Sequence, residues 1–256
     1  MKVPEFLKLN EVKEEDLDRP ETTQLHGQII RQKPFLRNVY LDFYYYFEKA
    51  VRPVQNRKYL EVGSGGGFLK EVYPQVIASD ILPLPETDLC CSLEALPFKN
   101  GTLDGVYMLN VLHHVKDCRK VFTEFIRALK PGAKVVFVEP ANTFFGRYVY
   151  QHFHHEPFDP KSDWLVPGEG PLSDANGAIP WIVFCRDREK FEKDYPQLVI
   201  EQVTFHTPLK YLLSGGVSMK SLLPNALYPV VKGLEWCLTP LNGLLGMFMT
   251  VVLTKK

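Results

Sequence analysis

The sequence predicts an α/β fold in which a doubly wound, mostly parallel sheet carries helices on both faces. Short apolar runs at 58–62, 75–81, 88–92, 103–109 and 133–138 alternate with helical spacing, the pattern of parallel strands joined by crossovers. The first run breaks into Gly63-Ser64-Gly65-Gly66-Gly67 and restarts as a helix, so its backbone is suited to positive φ or to close approach of a ligand. Asp80, Ser92, Asn110 and Glu139 fall at the carboxyl ends of predicted strands, where ligands bind in such sheets.

Taken in order, residues 1 to about 33 are polar and read as an irregular arm or lid. Apolar residues then recur with helical spacing at Leu36, Val39, Tyr40, Phe43, Phe47 and Val51. After the glycines a helix runs to about Val72, and the prolines at 83 and 85 force a loop behind the second strand. Val121, Phe122, Phe125, Ile126 and Leu129 mark a helix over 117–130 that Pro131-Gly132 ends. A helix is expected over 142–155. The stretch 156–180, rich in Pro, Gly and Asp, is long enough to be functional or mobile. A short helix at 187–194, a sixth strand at 198–205, an apolar insertion at 207–246 and a last strand at 247–253 complete the chain.

These segments form a single domain over 1–256: an arm (1–35), a ligand-binding core (36–140), an acceptor-side insertion (141–197), and the last strands with their insertion (198–256). The 30 basic and 30 acidic residues balance, which removes the electrostatic reason to expect nucleic acid as a partner. The 5 cysteines include no C-x-x-C pair, which argues against a disulfide framework or zinc ribbon and for a reducing, cytoplasmic setting. Met1-Lys2-Val3-Pro4-Glu5 and Glu14-Glu15-Asp16 offer no apolar signal core. The uncharged stretch 236–253 is broken by Pro240, Asn242, Gly243 and Gly246, and reads as a helix end, a turn and a strand instead of a membrane span.

The glycine spacing separates two cofactor classes. A dinucleotide turn wants a third glycine where Phe68 stands, whereas Glu61, Gly63, Gly65 and Gly67 alternate. With Ala78-Ser79-Asp80-Ile81, Leu96-Pro97-Phe98, Leu103-Asp104-Gly105-Val106-Tyr107, Val111-Leu112-His113-His114-Val115 and Leu129-Lys130-Pro131-Gly132, residues 58–139 resemble a class I S-adenosylmethionine-dependent methyltransferase. More loosely, His154-His155-Glu156-Pro157-Phe158-Asp159 and Leu212-Leu213-Ser214-Gly215-Gly216 are similar to bacterial members associated with surface-polysaccharide assembly. The resemblance implies a Rossmann-like seven-stranded sheet with an antiparallel last strand. It implies S-adenosylmethionine as cofactor and S-adenosylhomocysteine as product. Glu61 and the backbone of Gly63, Ser64, Gly65 and Gly67 would hold the methionine end, Asp80 the ribose hydroxyls, Ile81 the adenine face, and Asn110 the wall near the methionine portion. Ser92 stands where the family often has an acid for the adenine amine, so that contact would pass to the backbone of Ser92 and Leu93.

An oxygen acceptor must lose a proton, which His or a carboxylate within reach would take. His114 leaves a strand near the cofactor, and His155 and Glu156 follow the fifth strand, where this class builds its acceptor site. These are the catalytic candidates, with His113, His152, His154, Asp159 and His206 behind them. The run His152-x-His154-His155-Glu156 has ligand chemistry but not the spacing of a tight zinc site, so no metal is assigned. Trp164, Trp181 and Arg186 suit sugar or phosphate recognition or packing. The insertion 207–246 suits an apolar cap, a dimer face or peripheral contact with a membrane. The expected activity is methylation, at oxygen, of a small or glycan-like acceptor, free or lipid-linked. A nicotinamide-dependent reductase and a non-catalytic cofactor-binding scaffold are the alternatives.

Overall fold

The computed structural model describes residues 5–12, 16–168 and 170–256; the expectations for 1–4, 13–15 and 169 lie outside the described residues. Two 3-10 turns (Glu5–Leu7, Asn10–Val12) precede helix α1 (Pro20–Gln32), where the sequence suggested irregular chain. Pro20 opens this helix, since the N–H it lacks would have no partner there. Helix α2 (Pro34–Ala50) follows after a single residue and buries Phe35, Leu36, Val39, Tyr40, Phe43, Tyr44 and Phe47. That is the expected stripe without Val51, which stands past the helix end in extended backbone, and widened by Phe35 and by Tyr44, whose hydroxyl accepts the backbone N–H of Phe68. Tyr45 faces solvent and Tyr46 stacks on His206.

The core alternates β1 (Tyr59–Val62), α3 (Leu69–Val72), β2 (Val76–Asp80), β3 (Leu89–Cys90), β4 (Leu103–Leu109), α4 (Cys118–Ala128) and β5 (Leu129–Pro140). The Asp117 side chain caps α4 by accepting the Arg119 N–H. The helix stops before the expected 130 because Leu129 already pairs with Leu103 in the sheet. Beyond lie α5 (Phe144–Phe153), α6 (Ile179–Trp181) with a π turn (Ile182–Arg186), α7 (Arg188–Asp194), β6 (Leu198–His206), α8 (Lys210–Ser214), α9 (Tyr228–Cys237), α10 (Asn242–Leu245) and β7 (Phe248–Lys255).

The sheet has 7 strands in the order β3-β2-β1-β4-β5-β7-β6, parallel except where β7 runs antiparallel between β5 and β6. Strand order reverses between β1 and β4, and a crevice opens there beyond the carboxyl ends. The fully buried pattern of β1 and most of β4 and β5 matches strands covered on both faces. The loop 156–180 is pinned to this core. Trp164 is fully buried among Phe122, Phe191 and Tyr195, its indole N–H donating to Asp187. Arg186 bonds the same carboxylate and the carbonyls of Pro160 and Ser162. Both residues hold the loop in place, the packing alternative of the two the sequence offered.

Candidate active site

The crevice has a volume of about 450 Å³, and every residue the sequence singled out for the cofactor lines it. The turn after β1 carries Gly63 at φ +63° and Gly65 at φ +50°, and a Cβ at Gly63 would meet Val111 at 2.4 Å. Ser64 N–H donates to the Ser79 carbonyl and its hydroxyl to Glu61 Oε2, both at 2.9 Å. These bonds join β1, the turn and β2 into one frame. Asp80 Oδ2 accepts the Gly65 N–H at 2.8 Å and Oδ1 the Leu82 N–H at 2.9 Å. Each oxygen keeps a lone pair for a ligand hydroxyl. Burial raises the pKa of Asp80. Burial, helped by the Asp80 charge and opposed by the Ser64 hydroxyl, lifts Glu61 to about 8. A buried carboxyl in this state favours a cationic neighbour. Ile81 is 46% exposed and gives the crevice an apolar wall; Ser92 and Leu93 line the same end. Asn110 takes a left-handed φ of +56°, and its side-chain oxygen is buried without a partner. Backbone strain and an orphaned acceptor at a strand end mark a place made for a donor from a ligand.

Helix α1 closes the crevice from above; the sequence offered a lid here but as irregular chain, not as a helix. Leu17 and, from α1, Thr23, His26 and Ile30 line it. Arg31 donates to the carbonyls of Gly66 and Gly67 at 3.2 Å and pairs with Glu71 at 2.6 Å. A Cβ at Gly66 would meet the Gly27 nitrogen at 2.5 Å, so helix and turn touch backbone to backbone.

At the other end of the crevice lies a charged chain. Glu139, fully buried at the end of β5, accepts the N–H groups of Val111 and Leu112 through Oε1 and contacts His113 Nδ1 at 2.7 Å through Oε2. His113 Nε2 lies 3.4 Å from Glu156 Oε2. Burial pulls the pKa of His113 down, but the two carboxylates outweigh it and hold the ring up at about 10. Burial likewise works against the Glu156 charge, yet His113 keeps that carboxyl well below the usual range. His114 is pushed down to about 4 by burial and the charge of His113. Its Nδ1 lies 3.1 Å from the Asp174 carbonyl, which can only accept, so Nδ1 carries the proton and Nε2 presents a lone pair 3.7 Å from Glu156. His154, lowered to about 4 by burial, and His155 each lie 3.7 Å from the same carboxylate.

The structure thus brings His114, His155 and Glu156 together. It adds His113 and Glu139, which the sequence offered only as a histidine behind the main candidates and a strand-end acid. His206 is excluded from the site: it is buried between Thr207 and Thr250 and pushed down to about 3 by burial. His152 bonds the Tyr148 carbonyl on α5, and Asp159 caps a turn through the Lys161 N–H.

A sheet of this order, with an acid-glycine turn at its switch point and a carboxylate ending the next strand, defines the class I S-adenosylmethionine-dependent methyltransferases. The chain has the features of that class, and residues 60–137 match the family model of a methyltransferase domain. Among curated proteins it is similar to the demethylmenaquinone methyltransferase of Symbiobacterium thermophilum, 27% identical over 177 residues, 66% of this chain and 67% of that one. Among solved structures it resembles geranyl diphosphate C-methyltransferase from Streptomyces coelicolor A3(2), held with Mg2+, geranyl diphosphate and S-adenosyl-L-homocysteine, at a TM-score of 0.53 and 12% identity over 94% of this chain and 87% of that one. It also resembles Haemonchus contortus phosphoethanolamine N-methyltransferase 2 with S-adenosyl-L-methionine, at a TM-score of 0.52 and 15% identity, covering 93% of this chain and 57% of that one. The chain is an enzyme with S-adenosylmethionine as cofactor, which sets aside the reductase and scaffold alternatives. The methyltransferases it resembles include enzymes acting at carbon and at nitrogen.

Proposed function

We propose that this methyltransferase methylates an oxygen of a small or glycan-like acceptor carried on a lipid. The observation that carries the reading is the Glu156 carboxylate, ringed by histidines at the end of the cofactor crevice. Bound S-adenosylmethionine supplies a methyl on a positively charged sulfur, which keeps the C–S electron pair and becomes a neutral thioether. The chain's own residues do the rest. Glu61 and the backbone of Gly63, Ser64, Gly65 and Gly67 take the methionine end. Asp80 accepts from the ribose hydroxyls, Ile81 covers the adenine, Ser92 and Leu93 bound it, and Asn110 receives a donor from the methionine portion. An acceptor hydroxyl would donate into the gap between His114 Nε2 and Glu156, where two acceptors 3.7 Å apart have no proton between them. That proton stays on the His–Glu pair as the oxygen–methyl bond forms. Holding the partners in line supplies about 7–11 kcal/mol of the barrier.

The lipid carrier is supported by exposed apolar side chains on α5, which also lines the crevice through Tyr150, and on α9 and α10. Phe144 and Tyr148 of α5, Val230, Leu234 and Trp236 of α9, and Leu244 of α10 are exposed, and α5 and α10 pack together. Among the described residues no helix is long and apolar enough to cross a membrane, so contact would be peripheral. Two relatives favour a second reading, an isoprenoid-bearing acceptor, since their names carry demethylmenaquinone and geranyl diphosphate. Methyl-labelled cofactor, incubated with aqueous, lipid-linked saccharide and quinone fractions, tests both. Label in an acid-labile saccharide of the lipid fraction is expected; label confined to the quinone fraction overturns the first reading in favour of the second.

A further inference from the structure

We propose that His113, His114 and Glu156 form a binding site for one divalent transition-metal ion of the zinc type, with a position left open for the acceptor's oxygen. The role of the open position rests on the acceptor reading above; the ion site itself does not. The ligand atoms of the three side chains lie within 4.8 Å of one another. Ligands about 2.0–2.1 Å from a shared zinc sit roughly 3.3 Å apart at tetrahedral angles, close to the 3.4 and 3.7 Å from the two imidazoles to Glu156; the widest of the separations must close on binding. Two imidazoles and one glutamate leave the fourth position for an exchangeable oxygen, as in catalytic zinc sites.

The surroundings of the three residues are what single them out. A metal-binding imidazole turns its second nitrogen to a carboxylate or backbone carbonyl, which fixes the ring and its tautomer. Both histidines are held in that way. His113 Nδ1 meets Glu139 at 2.7 Å, and Glu139 is itself fixed by the N–H groups of Val111 and Leu112. His114 Nδ1 meets the Asp174 carbonyl at 3.1 Å. Both rings thereby aim Nε2 at Glu156, at 3.4 and 3.7 Å.

Such an ion also answers a chemical need. His114 alone is a weak base for an alcohol. An oxygen bound to zinc loses its proton near neutral pH, as zinc-bound water does. The proton would leave to solvent water, and the oxygen would attack the methyl as an anion while the cofactor sulfur leaves with the C–S electron pair.

The test uses the full chain after chelator treatment. Titration with Co2+ is expected to give visible absorption bands that saturate at one equivalent and are displaced by Zn2+. X-ray absorption at the zinc edge is expected to show nitrogen and oxygen at about 2.0–2.1 Å and no sulfur at about 2.3 Å. His114→Ala is expected to weaken Co2+ binding by at least the roughly 10–100-fold that loss of an outer partner costs. Its binding of S-adenosylhomocysteine, read by calorimetry, should persist. A chain that binds no stoichiometric metal, a sulfur ligand at the zinc edge, or unchanged affinity in a folded His114→Ala overturns the site. If the metal-free chain transfers methyl at the full rate, the ion's role falls and the methyltransferase reading stands. If the chain binds zinc through these ligands but methylates no oxygen, the site stands and the acceptor reading falls.

Discussion

At the scale of single residues, Glu61 sets ligand binding against stability. Burial, with the Asp80 charge, lifts its pKa from 4.5 to about 8. A carboxyl raised in the folded state contributes stability that is whole below its unfolded pKa and is lost as pH rises through the folded value. Glu61→Gln carries no such charge. Its stability relative to the parent is therefore expected to rise with pH, by up to about 1.4 kcal/mol for each unit between 4.5 and about 8, and to level off above that, in ligand-free thermal melts. Its affinity for S-adenosylhomocysteine should fall, because no carboxylate faces the ammonium. A stability difference that stays flat from pH 6 to 9 would show that the charge is not buried as described. Glu139 differs in that its charge stabilises the fold near neutral pH. Replacing it by Gln strands the His113 charge in the core and is expected to cost about 3–5 kcal/mol at neutral pH in denaturant melts. Because His113 is held up at about 10, the parent's advantage should be whole below pH 6.5 and vanish as pH passes 10. An advantage unaltered at pH 10.5 would sink the ion-pair account.

At the scale of elements, helix α1 and the glycine turn act as one unit. Gly66 needs no special φ; its constraint is the Gly27 backbone 2.5 Å from where a Cβ would stand. Gly66→Ala should therefore lift α1 while leaving the sheet intact. S-adenosylhomocysteine is expected to bind about tenfold or more weakly, roughly 1.4 kcal/mol, with unchanged far-UV dichroism and faster proteolysis in α1. Unchanged affinity would mean that α1 does not close the crevice. The same helix shows where the sequence stops being legible. Its buried residues include Thr22, Thr23 and Gly27, so no apolar stripe announces it; what orders it is Arg31 reaching the carbonyls of Gly66 and Gly67, distant in sequence. The strands, α2 and the turn were legible because their signals are local: apolar runs, a 3.6 period, glycines at fixed spacing. Asp80 and Asn110 could be placed because strand ends share one rim. The pairing of His113 with Glu139 could not, because it follows from which strands become neighbours. Pro131-Gly132 does lie past the end of α4, but the sequence could not show that β5 begins before it, since pairing of Leu129 with Leu103 is a property of the sheet.

At the scale of the molecule, the insertion between β6 and β7 is tied down on one side and bare on the other. Lys210 of α8 and Tyr228 and Lys232 of α9 all bond Asp42 of α2, and Lys210 also pairs with Glu235 at 3.1 Å. Burial works to raise the pKa of Asp42, and Lys210 with its other partners overrides it, so this anchor holds above the ordinary carboxylate range and weakens as pH falls. A polar anchor of this kind fixes where α9 lies without covering its outer face. Trp236 is 79% exposed, Val230 65% and Leu244 59%, and Phe144 of the neighbouring α5 is 74% exposed. Such apolar surface in water is costly to keep unless something covers it. The same α5 that displays Phe144 and Tyr148 sends Tyr150 into the crevice, so a lipid surface against this face would sit beside the acceptor site. The chain is expected to float with liposomes, and Val230→Asp with Trp236→Ser to remove most of that binding, since each buried apolar side chain contributes about 1.5–3 kcal/mol. Cofactor affinity should be untouched, because neither residue lines the crevice. If the parent stays with the unbound fraction on neutral and anionic liposomes alike, the membrane reading fails, and a delivery route through a soluble acceptor takes its place.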